Sequence, residues 1–284
     1  GKKTKKFKQN MKFSKPVTNR DIDAINDYYD MFISGSDQVW NYKLTNFDKT
    51  YLLDFVKDRR KKASYAASFG LKEIEIQYCE EYGRLLSDFQ YLSVRERIGA
   101  DLVKKLTGRN ARVVADPSFL LPEEDWLNVA KKPEIHEEYI LVYQLGFCAN
   151  TLDFVQHLSQ KSGCRVICLP FPMGKWITCE CGLTVGPAEW LGLIKNAKYV
   201  VTSSFHGAVF SMLFKKDFFV EIPRGISGVS SRIEDLLDEF GLKSRFLVNG
   251  KYDSMEEPIA YSTITDKLIQ KRESSVEYLR EIIH

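Results

Sequence analysis

Strand-like and helix-like segments alternate along most of this 284-residue chain. Short runs of β-branched and aromatic residues at 30–33, 51–55 and 62–67 have the composition of buried strands, and residues 76–89 have helical spacing. Strands that alternate with helices form a parallel sheet with helices packed on its faces. The sequence therefore predicts an α/β fold.

The alternation occurs twice, with a polar and proline-containing break at 131–138 between the two series. Further strands are predicted at 91–94, 112–115, 139–144, 165–169, 199–201 and 218–222, and further helices at 98–106, 152–162, 188–196 and 232–240. A chain of this length fits two α/β domains of about 130 residues each. We predict two Rossmann-like, doubly wound domains that face a cleft, at 1–133 and 134–262, with a C-terminal helix at 263–284 packing across both.

Composition excludes some classes of partner and site. The net charge is only +3, from 41 basic and 38 acidic residues, so we expect no nucleic-acid partner. The basic run at 2–15 reads as a solvated, partly truncated leader, with a membrane-surface or nucleic-acid patch as the alternative. No apolar run approaches the roughly 20 residues that cross a bilayer, which predicts a cytoplasmic protein. The C-E-C at Cys179 and Cys181 lacks zinc-site spacing, so we predict no metal.

One stretch in the second series has the features of a ligand site. Residues 199–211 read Y-V-V-T-S-S-F-H-G-A-V-F-S, which predicts a strand, a tight turn and a helix that begins near His206 or Gly207. Parallel sheets bind ligands at the carboxyl ends of their strands, where helix N-termini favour anions. His206 is therefore a candidate proton donor or acceptor, the alternative being a structural histidine that caps the helix.

Four strand ends in the first series also carry polar or glycine-containing motifs. They are G-S-D-Q at 35–38, A-S-F-G at 67–70, S-V-R-E at 93–96 and D-P at 116–117. Because such ends share one edge of a parallel sheet, the motifs are expected to converge. Taken singly, each could instead be a capped helix start, a plain turn or a solvated ion pair.

Seven motifs in order resemble one family over nearly the whole chain from about Tyr29. They are G-S-D-Q-V-W-N at 35–41, Y-A-A-S-F-G at 65–70, S-V-R-E at 93–96, A-D-P-S-F-L-L at 115–121, V-G-P-A-E-W at 185–190, T-S-S-F-H-G at 202–207 and S-S-R-I at 230–233. This series is similar to that of the polysaccharide pyruvyl transferase family. The two-domain organisation resembles the GT-B architecture of glycosyltransferases.

The resemblance implies a transferase that installs the enolpyruvyl group of phosphoenolpyruvate as a ketal on two hydroxyls of a sugar, in cell-surface polysaccharide biosynthesis. No cofactor is implied besides this donor. His206 is the candidate acid/base catalyst. The candidate donor-binding residues are Arg95, Arg232, Ser203, Ser204 and Gly207, because guanidinium groups and backbone N–H groups match phosphate and carboxylate. The candidate acceptor-binding residues are Asp37, Gln38, Trp40 and Glu96.

The sequence departs from the family pattern at two places. Family members resemble one another in an Arg-Leu pair before the histidine, where this chain has Ser204 and Phe205. This shifts the expected anion contact to Arg95 or Arg232. The family's opening strand and glycine-rich loop have no counterpart, so we expect the first domain to be incomplete at its N-terminus.

Two other functions share these features. One is a GT-B glycosyltransferase that uses a nucleotide sugar, and the other is a non-catalytic carbohydrate-binding remnant of the family. Under the transferase reading the partners are a small-molecule donor and a sugar or polysaccharide acceptor. A lipid-linked acceptor would bring the protein to the inner face of the membrane as a peripheral partner.

Overall fold

The computed structural model describes the chain except for residues 1–11, 19, 170–184, 224–228 and 248–256. Contacts between residues divide the described chain into two compact units. The first unit comprises Ser14–Leu120 and Asp266–His284, and the second comprises Leu121–Thr265. The predicted leader at 2–15 falls largely outside the described residues.

The regular elements alternate as the sequence predicts. The strands are β1 (Phe32–Ser34), β2 (Lys62–Ser64), β3 (Ser93–Val94), β4 (Arg112–Val113), β5 (Tyr139–Tyr143), β6 (Arg165–Leu169), β7 (Tyr199–Thr202) and β8 (Asp217–Val220). The α-helices are α1 (Tyr42–Thr45), α2 (Ile76–Ser87), α3 (Arg97–Thr107), α4 (Glu123–Val129), α5 (Thr151–Ser162), α6 (Pro187–Asn196), α7 (Phe205–Leu213), α8 (Val229–Glu239) and α9 (Tyr261–Ile283). Among these helices, as far as the chain is described, none is both long and apolar enough to cross a bilayer.

The first unit contains short parallel strands in sequential order. β1 pairs with β2 and β3 pairs with β4, and isolated parallel bridges from Ala63 to Tyr91 and from Ala67 to Val94 join the two pairs. Right-handed crossovers between strands in this order place the connecting helices on one face of the sheet. A large apolar cluster that includes Trp40, Tyr82 and Leu86 forms the main core of this unit.

The C-terminal part of α9 supplies a second core in the first unit. Tyr278 and Ile282 pack with Ala63, Tyr65 and Val114 in a separate buried cluster. The Tyr278 hydroxyl donates to the Ser64 carbonyl oxygen at 3.0 Å. A helix from the end of the chain therefore fixes strands that were formed some two hundred residues earlier.

The second unit is built on a four-stranded parallel sheet in the order β6-β5-β7-β8. The chain moves outward from β5 to β6 and then returns to the other side of β5 to form β7. This reversal is a topological switch point, where parallel sheets leave a crevice at the carboxyl ends of the adjoining strands. The crevice position in this unit is therefore at the ends of β5 and β7.

The predicted strand at 51–55 is wrong. Lys49–Leu52 form a 3₁₀ helix, whose first turn is capped by the Asp48 side chain accepting from the Thr50 N–H at 2.9 Å. Leu53 then ends the helix with a left-handed φ of 54°. A short apolar run has no period of its own that separates strand from helix, and here the capping aspartate decides the local conformation.

The contacts also draw the boundary between the units at a different place from the predicted residue 133. They group residues from Leu121 onward with the second unit because α4 packs there. Trp126 contacts the Phe210 ring edge-on at 4.9 Å between centroids. Glu123 pairs with Lys195 of α6.

Candidate functional site

Arg95 follows β3 and connects strand ends of the first unit. Its guanidinium Nη1 donates to Asp116 Oδ2 at 2.7 Å, and its Nη2 donates to Asp37 Oδ1 at 2.9 Å. Asp37 follows β1 and Asp116 follows β4. One buried cation therefore gathers the carboxyl ends of three strands.

The remaining strand end joins the same cluster through a serine. Ser68, which follows β2, donates its hydroxyl to Glu96 Oε1 at 2.6 Å, and its Oγ accepts from the Gly70 N–H at 3.1 Å. Glu96 is 2% exposed and stands directly before α3. The structure thus brings together all four motifs that the sequence placed at one sheet edge.

The electrostatics of this cluster favour a permanently charged Arg95. Burial lowers the pKa of the guanidinium, but the charges of Asp116, Glu96 and Asp37 more than offset burial, and the net pKa is raised. Asp37 differs from the other carboxylates because 55% of its side chain is exposed. Arg95 therefore presents one oriented carboxylate to solvent.

Backbone geometry sets the position of Asp37. Gly35 has φ of +127°, and a β-carbon there would lie 2.1 Å from the Tyr65 carbonyl oxygen. Only glycine combines this φ with such a close approach. Gln38 is half-buried and accepts from Asn41 Nδ2 at 2.9 Å, so its side chain is oriented by the same turn.

Trp40 does not belong to an acceptor site. The residue is only 1% exposed, and its ring packs against Phe69 and Phe89 at centroid distances of 5.3 and 5.7 Å. Its Nε1 donates to the Tyr51 carbonyl oxygen at 3.1 Å. The sequence predicted that Trp40 binds the acceptor, whereas the tertiary packing places its indole in the core.

In the second unit, the turn between β7 and α7 lies at the switch point. Ser204 is the N-cap of α7, and its Oγ accepts from the Gly207 N–H at 3.2 Å. His206 is the second residue of the helix and is half-buried. A β-carbon at Gly207 would lie 2.3 Å from Thr202 Oγ1, so glycine is needed for the helix to start this close to the strand.

The turn is also tied to the end of β5. Thr202 Oγ1 donates to the Tyr143 carbonyl oxygen at 2.7 Å, and Ser203 Oγ accepts from the Leu145 N–H at 2.7 Å. Of the predicted donor-binding groups, the Ser203 and Ser204 oxygens and the Gly207 N–H all have partners within the unit. These contacts hold His206 in place at the strand end.

Arg232 lies beside the same turn. The residue is buried, with 7% exposure, and its guanidinium carbon is 5.8 Å from the centre of the Phe205 ring. The His206 ring meets that Phe205 ring edge-on at 5.4 Å. Arg232 and His206 therefore share one aromatic neighbour, the Phe205 ring. Of the two arginines predicted to bind the donor, Arg232 is the one that lies beside the His206 turn.

Sequence reasoning missed Glu221, which follows β8 at the same sheet edge. Its carboxylate accepts from the Asn150 N–H at 2.9 and 3.0 Å and from the Thr151 hydroxyl at 2.8 Å. Burial first, and then the charge of Glu221, raise the pKa of the neighbouring Cys148 thiol to about 12. The sequence prediction placed Glu221 inside a strand at 218–222, whereas β8 ends at Val220. Searching for polar residues directly after a strand, as was done for Arg95, would have found it.

Comparison with known proteins decides the family. The model of the family described as Polysaccharide pyruvyl transferase matches residues 2–220. The chain belongs to the polysaccharide pyruvyl transferase family. The residues matched include the Asp37, Arg95 and Asp116 cluster and the His206 turn, so both sets of strand ends fall within the pyruvyl transferase match, whereas Glu221 and Arg232 lie beyond it.

Solved structures show the fold of this pyruvyl transferase family member. UDP-GlcNAc 2-epimerase from Methanocaldococcus jannaschii is 15% identical, with a TM-score of 0.53, and the match covers 95% of this chain and 81% of that chain. The same epimerase in complex with UDP-GlcNAc and UDP matches at 17% identity and a TM-score of 0.46, covering 79% of this chain and 69% of that chain. The wall teichoic acid polymerase TagF matches at 10% identity and a TM-score of 0.39, covering 79% and 64%. Comparison with curated proteins found no match.

The fold is therefore α/β, Rossmann-like and of the GT-B-like type, as predicted from the sequence. The family indicates a transferase. In the part of this pyruvyl transferase homologue that the structure describes, no three His, Cys, Asp or Glu side chains are grouped to hold a metal ion. Cys179 and Cys181 lie outside the described residues.

Proposed function

We propose that this protein transfers the enolpyruvyl group of phosphoenolpyruvate to two hydroxyls of a sugar, forming a pyruvate ketal and releasing phosphate. The observation that carries the proposal is the family match over residues 2–220, which includes both strand-end clusters. In this role the chain uses a small-molecule donor and a sugar or polysaccharide acceptor and contributes to cell-surface polysaccharide biosynthesis.

The reaction needs one acid and one base, and His206 is the residue assigned to this work. The imidazolium gives a proton to C3 of the enol, C2 becomes electrophilic, and a sugar hydroxyl adds to C2 as it loses its proton to the imidazole. The C2–O bond to phosphate then breaks, a second hydroxyl closes the ketal, and its proton leaves with the phosphate. Histidine suits both steps because its unperturbed pKa lies near neutrality.

The donor anion needs a fixed positive charge near His206. Arg232 fits this role because its guanidinium is already oriented by the Phe205 ring that also contacts His206. Guanidinium groups bind phosphate and carboxylate with two parallel hydrogen bonds. Ser203, Ser204 and Gly207 support donor binding by fixing the conformation of the turn. The Ser203 hydroxyl accepts from the Leu145 N–H, and the Ser204 hydroxyl accepts from the Gly207 N–H.

Asp37 is the carboxylate that we assign to the acceptor hydroxyls, with Gln38 in the same acceptor set. Glu96, predicted as a further acceptor contact, is 2% exposed and accepts from Ser68, so it supports this set from inside the unit. Arg95 orients the Asp37 carboxylate through its hydrogen bond to Oδ1. We also propose that Arg95 binds the donor, which a substitution at Arg95 can test. If the acceptor is lipid-linked, the protein works in the cytoplasm at the inner face of the membrane.

The first experiment measures phosphate release from phosphoenolpyruvate against a panel of sugars and oligosaccharides with adjacent or 4,6-spaced free hydroxyls. Ketal formation is confirmed by mass spectrometry of the acceptor. His206→Asn is expected to lower turnover by roughly 10²–10⁴-fold with little change in donor Kd, as for loss of a general acid or base. His136→Asn is the matched control, because His136 is exposed in the segment before β5 and should leave turnover unchanged.

Three outcomes contradict the proposal. Release of nucleotide from a nucleotide sugar, with none of phosphate from phosphoenolpyruvate, would establish the glycosyltransferase alternative. Sugar binding without release from either donor would indicate the non-catalytic remnant. Equal loss of turnover and donor affinity in His206→Asn would make His206 a binding residue.

A further inference from the structure

A cavity in the second unit lies at the opposite edge of the sheet from His206. It has a volume of about 410 Å³ and is lined by Tyr199 and Asp217, the first residues of β7 and β8. One face of α5 forms another wall, through Phe154, His157 and Lys161. Cavities of this size hold small organic ligands in other proteins.

The cavity carries an excess of positive charge. Lys161, Lys198 and Arg245 line it, against one carboxylate, Asp217. Asp217 Oδ1 already accepts from the Ile259 N–H at 2.8 Å. Lys198 pairs at 2.6 Å with Glu138, whose side chain is 67% exposed. An exposed ion pair contributes little, so Lys198 can turn to an anion in the cavity at small cost.

Arg245 makes this a built site rather than a surface groove. The residue is only 6% exposed, its Nη2 donates to the Glu257 carbonyl oxygen, and its guanidinium carbon is 5.6 Å from the centre of the Phe219 ring. A planar cation held in this way over an aromatic ring is preorganised for a planar or tetrahedral anion.

Apart from His157 and Ser162, the rest of the lining is apolar or aromatic. Phe154 and Phe219 meet edge-on at 4.6 Å, and Leu158 and Tyr199 complete the wall. Such a wall favours a ligand with a flat apolar body, while the lysines and Arg245 favour a charged head. The two kinds of surface in one cavity select for both properties together.

We propose that this cavity binds a small aromatic anion, such as an aryl phosphate or aryl carboxylate, at a site separate from the His206 turn. The separation follows from the sheet: the cavity is at the amino ends of β7 and β8, and His206 follows the carboxyl end of β7. The inference stands on residues that the proposed reaction does not use, so it does not depend on that reaction.

The test is titration calorimetry with phenyl phosphate as the probe, on the full chain. Inorganic phosphate supplies the head without the ring, and benzyl alcohol supplies the ring without the charge. We expect phenyl phosphate to bind measurably and at least about tenfold more tightly than either, because both surfaces contribute. Excess phosphoenolpyruvate should not displace it.

The variant Lys161→Glu/Lys198→Glu is expected to weaken phenyl phosphate binding by at least about tenfold, since it reverses two charges that face the cavity. Lys131→Glu is the matched control: this lysine is exposed and outside the cavity lining, and the Kd should not change. Lys131, Lys161 and Lys198 are all exposed, so both variants should unfold at the wild-type temperature. The proposal is overturned by absent binding, by equal binding of inorganic phosphate, by competition from phosphoenolpyruvate, or by an unchanged Kd in the double variant.

Discussion

Arg95 places a full positive charge where only 6% of the residue is exposed. A charge removed from water in this way costs several kcal/mol unless it is paired, and here Asp116 and Asp37 lie within 2.9 Å of it. Two parallel donors at fixed spacing are a property of guanidinium, and lysine has a single nitrogen. The arginine is therefore needed for its shape as well as its charge.

Arg95→Lys is expected to lower the free energy of unfolding by about 1–3 kcal/mol, because one ammonium cannot hold both carboxylates and leaves a buried acceptor unsatisfied. Urea denaturation measures the loss. The matched control is Arg84→Lys. Arg84 also bonds to two carboxylates, Glu81 and Asp54, but its side chain is 56% exposed, so the same change should cost well under 1 kcal/mol.

The same Arg95 variant decides the role of Arg95 in donor binding. If the guanidinium contacts phosphoenolpyruvate, the donor Kd rises in folded Arg95→Lys. An unchanged Kd together with reduced stability would remove Arg95 from the donor site and leave it as the residue that positions Asp37. Equal losses of unfolding free energy in Arg95→Lys and Arg84→Lys would contradict the claim that burial makes the Arg95 pairing costly to lose.

Single residues also show where a sequence is ambiguous. Trp40 and Asp37 lie three positions apart in one motif, and the tertiary structure buries the indole while it exposes the carboxylate. A tryptophan beside a polar strand end fits a sugar platform and a core residue equally well. The partners that decide between them, Phe69 and Phe89, come from later in the chain.

At the level of the element, α7 depends on how its first turn is closed. Ser204 has extended backbone angles and its hydroxyl accepts from the Gly207 N–H, which is the geometry of a helix N-cap. Where we expected an arginine from the family pattern, this chain therefore has a residue that stabilises the helix carrying His206.

Ser204→Ala is expected to reduce the free energy of unfolding by about 0.5–2 kcal/mol, the usual cost of an N-cap hydroxyl. Ser204→Thr keeps the hydroxyl and should lose much less. Chemical denaturation of the three proteins side by side measures the difference. If alanine and threonine were equally stable, the cap would not be what holds the turn.

Two segments, 199–211 and 51–55, show how far local sequence predicts local structure. The strand, turn and helix at 199–211 were predictable because small hydroxyl residues, a glycine and an apolar helical run follow one another directly. The segment at 51–55 was mispredicted because its apolar run was read alone, whereas Asp48 caps a 3₁₀ helix over Lys49–Leu52. Local sequence is decisive when the capping residue is included in the reading.

At the scale of the whole molecule, buried thiol and phenol groups that stay un-ionised in the folded chain make the free energy of unfolding decrease at alkaline pH. Burial raises the pKa of Cys148 to about 12, with the charge of Glu221 as the second cause, and burial raises the pKa of Tyr278 to about 12. The unfolded chain ionises these groups near pH 9.0 and 10.0, before the folded chain does. The stabilisation is therefore complete below about pH 9 and is lost as pH rises toward 12.

The urea midpoint of unfolding should accordingly fall between about pH 9 and pH 11 and stay level just below that range. Denaturation curves at several pH values measure this directly. Cys148→Ala, which removes one of the shifted groups, should give a shallower decline than the wild-type chain. A midpoint that is constant or rises over this interval would contradict the burial of these groups.

The sequence by itself determined the α/β class, the alternation of elements, the family and the strand-end position of His206, because each of these follows from residues close together in the chain. Only the tertiary structure decided that Arg95 bonds to Asp37 and Asp116, that Glu221 accepts from Asn150 and Thr151, that Trp40 is a core residue and that α4 packs with the second unit. Those results depend on partners that are far apart in sequence. Their contacts exist only after the strands have paired and the helices have closed over them.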